Sequence, residues 1–87
     1  MLNYALIYSK DNCPWCDRAR DFLREKNISN VAELKVGRDI SPEDFRKIAS
    51  TNDRKSTVPL IFYRVKPGDG WKVLGGYEDL VTHFEKP

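Results

Sequence analysis

Apolar residues follow two rhythms along this chain, and the switches between them mark out its elements. Tyr4-Ala5-Leu6-Ile7-Tyr8 is continuously apolar or aromatic and β-prone, which predicts a central strand covered on both faces. From Pro14 to about Lys26 the apolar positions Ala19, Phe22 and Leu23 recur at helical spacing, with Asp17, Arg18, Arg20, Asp21 and Arg24 on the wet side. Asn27 ends that helix. Val31 to Val36 alternates, with Ala32, Leu34 and Val36 facing one way and Glu33 and Lys35 the other, the pattern of a half-exposed edge strand. Strand, helix and strand in this order imply a right-handed parallel crossover.

Ser41-Pro42-Glu43-Asp44 reads as a second helix start, with Ser41 as N-cap, Pro42 at the first helical position and acids in the first turn. Phe45, Ile48 and Ala49 supply its buried stripe. After a polar stretch, Val58-Pro59-Leu60-Ile61-Phe62-Tyr63 resumes a strand with a proline at its mouth. Lys66 to Gly70 is a turn, and Trp71 to Leu74 returns as the antiparallel partner. Gly75-Gly76 breaks that strand, and Glu78 to Phe84 form a short closing helix. The expected fold class is α/β, a four-stranded mixed sheet in the order β-α-β-α-β-β-α with helices on both faces.

Eighty-seven residues with 40% apolar content fit one domain spanning 1–87. A chain of this size buries about 60% of the surface it exposes when unfolded. Fifteen basic and thirteen acidic side chains give a net charge of +2, which indicates neither a nucleic-acid footprint nor a membrane patch. The N-terminus Met1 to Tyr4 carries no basic n-region and its apolar run ends by Tyr8, too short for a signal peptide or a membrane span, so the expected location is the cytoplasm.

The chain's two cysteines lie in Cys13-Pro14-Trp15-Cys16, where the first strand gives way to the first helix. A thiol at a helix start faces unpaired backbone N–H groups and the positive end of the macrodipole, which favour thiolate. Pro14 suits the first helical position because its missing N–H would have been an orphan there. Cys13 is then the N-cap with its sulfur toward solvent, and Cys16 sits one turn inside. A purely structural cross-link of so small a loop would add little stability. A C-x-x-C that follows the first strand of a βαβ unit reads as a thioredoxin-like redox motif.

Tyr8-Ser9-Lys10, Cys13-Pro14-Trp15-Cys16, Thr57-Val58-Pro59 and Gly75-Gly76-Tyr77-Glu78-Asp79-Leu80 occur in this order, and together they resemble the signatures of a dithiol glutaredoxin across nearly the whole chain. The resemblance implies a thioredoxin-like fold and a glutathione-dependent thiol–disulfide oxidoreductase, with Cys13 as nucleophile and Cys16 as resolving thiol. Glutathione would be the co-substrate, with no metal expected. In the family the proline here numbered Pro59 is cis and faces the nucleophile, leaving the backbone of Val58, next to Thr57, free to pair with an extended peptide. Gly76, Tyr77 and Asp79 would hold the γ-glutamyl end of glutathione, with Asp79 on its ammonium. Lys10 and Lys55, with Arg54 as a third candidate, would meet the glycine carboxylate. Trp15 stands where family members more often carry Tyr, and is expected to touch substrate. The range for glutaredoxins, roughly −200 to −230 mV, gives the expected potential. Implied partners are disulfide-bearing or glutathionylated proteins, ribonucleotide reductase among them, served by a monomer.

Two rival functions have sequence support. A thioredoxin-like general disulfide reductase would share the cysteine motif but has no use for a zwitterion site at Gly75 to Asp79. An iron–sulfur module would need a second subunit, and a zinc site fails because one chain offers two thiolates and one distant histidine. That histidine, His83, is expected at the surface without a catalytic role. Trp71 and the aromatics Phe22, Phe45, Phe62 and Phe84 are expected to pack the sheet faces. Charges around Trp15, Asp17, Arg18 and Arg20 would steer docking of a protein partner. The Lys66 to Gly70 turn has no functional account.

Overall fold

The computed structural model describes residues 2–85. Its elements run β1 (Tyr4–Ser9), α1 (Pro14–Glu25), β2 (Asn30–Lys35), α2 (Pro42–Thr51), β3 (Leu60–Arg64), β4 (Lys72–Gly75) and α3 (Tyr77–Glu85). The sheet order is β2-β1-β3-β4. β1 lies parallel to β2, with Ile7 opposite Glu33, and antiparallel to β3, with Ile7 opposite Ile61. β4 is the antiparallel partner of β3, with a register shift between Ile61 and Phe62. This is the mixed α/β sheet that the hydrophobic pattern predicts, with β2 at one edge.

Continuous apolarity in β1 is explained by its place between two cores. On one face Ala5 and Ile7 pack with Ala19 and Leu23 of α1, Ile61 of β3 and Leu80 of α3. On the other, Tyr8 packs with Phe45 and Ala49 of α2 and with Leu60 and Phe62 of β3. Helices therefore cover both faces. Burial pushes the Tyr8 hydroxyl above the usual tyrosine range. β2 divides between the cores, with Val31 against the first and Leu34, followed by Val36 just past the strand, against the second. Ala32 departs from expectation. It shares a face with Leu34 but is exposed, because α2 covers that face only toward the end of the strand.

Both longer helices close with a left-handed residue. Asn27 has φ 62°, its N–H donates to the Arg24 carbonyl at 3.0 Å, and the Ile28 N–H donates to the Leu23 carbonyl at 2.9 Å. That is a Schellman motif, and Ile28 is tucked into the first core beside it. Asp53 at φ 55° does the same for α2, with the Arg54 N–H on the Ala49 carbonyl at 2.8 Å.

Two aromatic expectations are corrected. Trp71 precedes β4 and is exposed rather than packed on the sheet, because the guanidinium of Arg64 lies 4.4 Å from its ring centre and fills the space between it and Tyr4. His83 is half-buried rather than at the surface, since its ring packs 5.1 Å from Tyr63 and 5.7 Å from Phe84. Phe22, Phe45, Phe62 and Phe84 join the cores as expected.

A β-branched side chain is strained in the left-handed region, at a cost of about 1–2 kcal/mol per residue. Asn27→Val is therefore expected to lower unfolding free energy by about that amount, and Asn27→Gly to leave it unchanged or raised, in urea denaturation.

Candidate active site

The carbonyl end of β1, the Pro59 turn and the start of α3 meet at one end of the sheet. The chain reaches it through Asn12, at φ 57°, and then Cys13, whose extended backbone (φ −117°, ψ 95°) makes it the N-cap of α1. Pro14 opens the helix. The Cys16 N–H donates to Cys13 Sγ at 3.2 Å, so the sulfur does for this helix what a serine or aspartate oxygen does for others. Cys13 and Cys16 are joined as a disulfide with Cα atoms 5.2 Å apart, inside the normal range for such a bond.

One expectation fails here. Cys13 was expected to face solvent, yet it keeps only 7% of its surface, while Cys16 keeps none. The cross-link and the Cys16 N–H both turn the Cys13 sulfur into the helix start. Exposure at the motif belongs instead to Trp15, which is 49% accessible.

The approach to Cys13 is tied down by charge. Asp11 Oδ1 accepts from Lys35 Nζ at 2.9 Å, and the Lys35 backbone N–H donates to Asp39 Oδ2 at 2.9 Å. The hydrogen bond from Lys35 Nζ, reinforced by the charge of Lys35, holds the Asp11 carboxyl below the usual aspartate range. Asp39 is lowered in the same sense, chiefly by Arg38. Behind the motif, the fully buried Ser9 hydroxyl donates to Glu33, which also receives Arg20 Nη1 at 2.7 Å. Arg20 pairs in turn with Asp17.

A groove of about 550 Å³ opens beside Trp15. Thr57, Val58 and Pro59 form one wall, and Gly76, Tyr77 and Asp79 form another. The Val58–Pro59 bond is cis, as the family resemblance implies. Trp15 and Tyr77 close the groove between α1 and α3, with ring centres 5.5 Å apart. Gly75 takes φ 125°, and a Cβ there would collide with the Asp79 carboxylate. Asp79, third residue of α3, reaches back so that Oδ2 accepts the Gly76 N–H at 2.9 Å, the acidic half of a capping box. The Gly76 N–H is thus already used. The N–H groups of Tyr77, Glu78 and Asp79 precede the first residue with an acceptor one turn back, and remain for a ligand.

A second cavity, about 410 Å³, lies on the other side of Thr57 and Val58 and is lined by Lys10, Phe45 and Arg46 among others. The two lysines expected to act together are therefore separated. Lys10 lies in this second cavity, whereas Lys55 lines the groove with Asp79. The reason is topological, since Lys10 follows β1 on the α2 side while Lys55 leaves α2 toward α3. Arg46 was missed in the sequence, where it reads as one more wet position beside the buried Phe45. Arg54 lines the groove beside Lys55, placed there by the Schellman turn at Asp53.

Residues 5–66 match the family model described as Glutaredoxin. The chain is 34% identical over 80 residues to glutaredoxin 1 of Rickettsia prowazekii, covering 92% of this chain and 76% of that one. It is 31% identical over 78 residues to the hybrid peroxiredoxin hyPrx5 of Haemophilus influenzae, covering 90% of this chain but spanning only 28% of that protein's length. Among solved structures, the holo form of glutaredoxin C1 from Populus tremula x tremuloides superposes with a TM-score of 0.72 at 21% identity, over 93% of this chain and 73% of that one. The chain belongs to the glutaredoxin family and has its thioredoxin-like fold.

Two measurements test the site. After reduction, Cys13 at the helix start is expected to react with iodoacetamide at least about tenfold faster than the enclosed Cys16, as peptide mass mapping would show. The tether of Asp11 to Lys35 has a definite pH sense. A carboxyl whose pKa is lower folded than unfolded stabilises above the unfolded value, and that contribution is lost as pH falls through the folded one. Asp11→Asn is therefore expected to melt below wild type at about pH 7, with a smaller difference at a pH below the usual aspartate range. An equal difference at both pH values would show that the tether contributes nothing.

Proposed function

We propose that this chain is a glutathione-dependent thiol–disulfide oxidoreductase that reduces protein disulfides and glutathione mixed disulfides. The observation that carries this reading is the Cys13 sulfur at the start of α1, accepting the Cys16 N–H two residues before Trp15, which lines one groove with Thr57, Val58, Pro59, Gly76, Tyr77 and Asp79. The same N–H and the helix start would stabilise negative charge on that sulfur once the disulfide is opened.

In the reaction, Cys13 thiolate attacks the glutathione sulfur of a mixed disulfide. A bond forms between Cys13 and glutathione, and the protein thiolate leaves. A second glutathione thiolate then attacks the glutathione sulfur on Cys13, which releases oxidised glutathione and regenerates the Cys13 thiolate. With a protein disulfide, the first attack joins Cys13 to one substrate sulfur, breaks the substrate's S–S bond and releases the other sulfur as a thiolate. Cys16 then attacks the Cys13 sulfur, expels the substrate's second thiolate and leaves the Cys13–Cys16 bond present in the structure. Ribonucleotide reductase, a partner the family implies, is one disulfide-bearing substrate of this kind.

An extended tripeptide lying along Val58 has its cysteine near the motif and its two ends in the two cavities. Asp79, with one oxygen left after capping Gly76, suits the ammonium of the γ-glutamyl end. The N–H groups of Tyr77 and Glu78 suit its carboxylate. Lys10 and Arg46, in the second cavity, suit the glycine carboxylate. Trp15 provides a flat wall beside the sulfur.

Turnover of a glutathionylated peptide by wild type and both cysteine variants tests the assignment. Cys13→Ser is expected to abolish activity, whereas Cys16→Ser keeps reduction of the glutathione mixed disulfide and loses reduction of a protein disulfide. Equal loss in both variants would remove the distinction between attacking and resolving sulfur. Rapid reduction by thioredoxin reductase with none by glutathione would favour the general-reductase alternative.

A further inference from the structure

A carboxylate sits in an awkward place on this chain. Asp11 lies two positions before the sulfur that is to work as an anion, which puts their Cα atoms within about 7 Å of each other. A negative charge at that range opposes ionisation of the thiol and works against the helix start, which favours it. The structure supplies a counterweight. Lys35, the last residue of β2, reaches over from the neighbouring strand and places its ammonium 2.9 Å from Asp11 Oδ1. Read along the sequence, Lys35 is only the wet side of an edge strand.

Lys35 is fixed where it stands. Its Cα is paired with that of Ser9 at the end of β1, and the next N–H, that of Val36, donates to the Ser9 carbonyl at 2.8 Å. Its own N–H donates to Asp39 Oδ2 at 2.9 Å, and its carbonyl accepts the N–H groups of Asp39 at 2.8 Å and Arg38 at 3.1 Å. The lysine side chain is 28% exposed, against 81% for Asp11. None of these contacts involves either sulfur. The other charges around the approach are engaged on their own elements. After β2, Arg38 pairs with Asp39 at 3.0 Å; on α1, Asp17 pairs with Arg20, which also holds Glu33 of β2; on α3, Asp79 accepts the Gly76 N–H; and Lys10 lines the second cavity. Asp11, held below the usual aspartate range, carries its charge throughout neutral pH.

We propose that Lys35 is a positioning residue for Cys13, which acts by cancelling the charge of Asp11 and so keeps the thiolate favoured. The inference deepens the oxidoreductase reading and rests on it for the role of Cys13. A unit charge about 10 Å away in water-like surroundings changes the ratio of thiolate to thiol by roughly twofold at low salt. A thiolate that is harder to form makes the reduced protein less stable, so loss of Lys35 makes the dithiol more reducing. Removing Lys35 and removing Asp11 break the same contact, yet they act on Cys13 in opposite directions. A contact that only braced the loop would shift both variants the same way.

The test follows alkylation of the reduced protein by iodoacetamide across pH, with the product assigned to Cys13 by peptide mass mapping. It is run at about 0.01 M ionic strength, where the screening length is about 30 Å, and at about 1 M, where it is about 3 Å. At low salt Lys35→Gln is expected to raise the midpoint of the Cys13 profile by about 0.3 of a pH unit, a twofold loss of thiolate below it, and Asp11→Asn to lower it by about as much. The double variant and Lys35→Arg are expected to titrate with wild type, and at high salt all the profiles converge. Shifts of the same sign in the two single variants overturn the proposal, as does an unmoved midpoint in Lys35→Gln or a shift that survives high salt. Should Lys35→Gln fail to fold, Asp11→Asn against wild type decides, and a midpoint unmoved or raised at low salt overturns the proposal. Opposite shifts in a protein that turns over no glutathione mixed disulfide would sink the oxidoreductase reading and leave the effect of Lys35 on the sulfur standing.

Discussion

The N–H of Cys16 on the sulfur of Cys13 is the contact where fold and chemistry coincide. A helix start leaves backbone donors without partners, and something must accept them. Here the acceptor is the Cys13 sulfur, the one proposed to undergo exchange, so the atom given that role also begins the helix. Its location follows from β1, which is central, buried on both faces and ends directly below the site. The left-handed turn at Asn12 then carries the chain from strand to cap.

Around that contact, ion pairs sort the surface charges. Ser9 and Arg20 meet on Glu33, and Asp17 follows Arg20, so a line of polar groups links the end of β1 to the outer face of α1. Exposed pairs of this sort add little stability individually. Their effect here is to withdraw some charges from the surface and leave others standing. The groove beside Trp15 is left with charges of both signs, Arg54 and Lys55 on one side and Glu78 and Asp79 on the other.

Much of this was readable before any coordinates. Apolar continuity in β1, helical spacing at Ala19, Phe22 and Leu23, and proline after an N-cap at Cys13 and Ser41 each reflect a local rule, and each element appears where the rule puts it. The elements of the site were legible through the family resemblance of Thr57-Val58-Pro59 and Gly75 to Asp79, whereas local turn chemistry alone reads them as a strand mouth and a tight turn. What escaped were matters of long-range geometry. Periodicity does not reveal that Lys10 and Lys55 fall on opposite sides of Val58, or that Arg46 joins Lys10. Burial of Cys13 depends on the state of its sulfur, which the sequence does not carry. Trp71 looked like core because a tryptophan offers so much apolar surface, but Arg64 occupies one side of it and solvent the other.

Asp79 caps α3 with the same carboxylate that lines the groove. One oxygen keeps the first turn of α3 wound, and Gly75 has no side chain so that this carboxylate has room. Any change that retunes the pocket by altering Asp79 also loosens the helix that presents it. This corner of the molecule can therefore acquire a new guest only by changing residues around that carboxylate, such as Glu78 or Tyr77, and evolution would meet a fixed post there with movable neighbours.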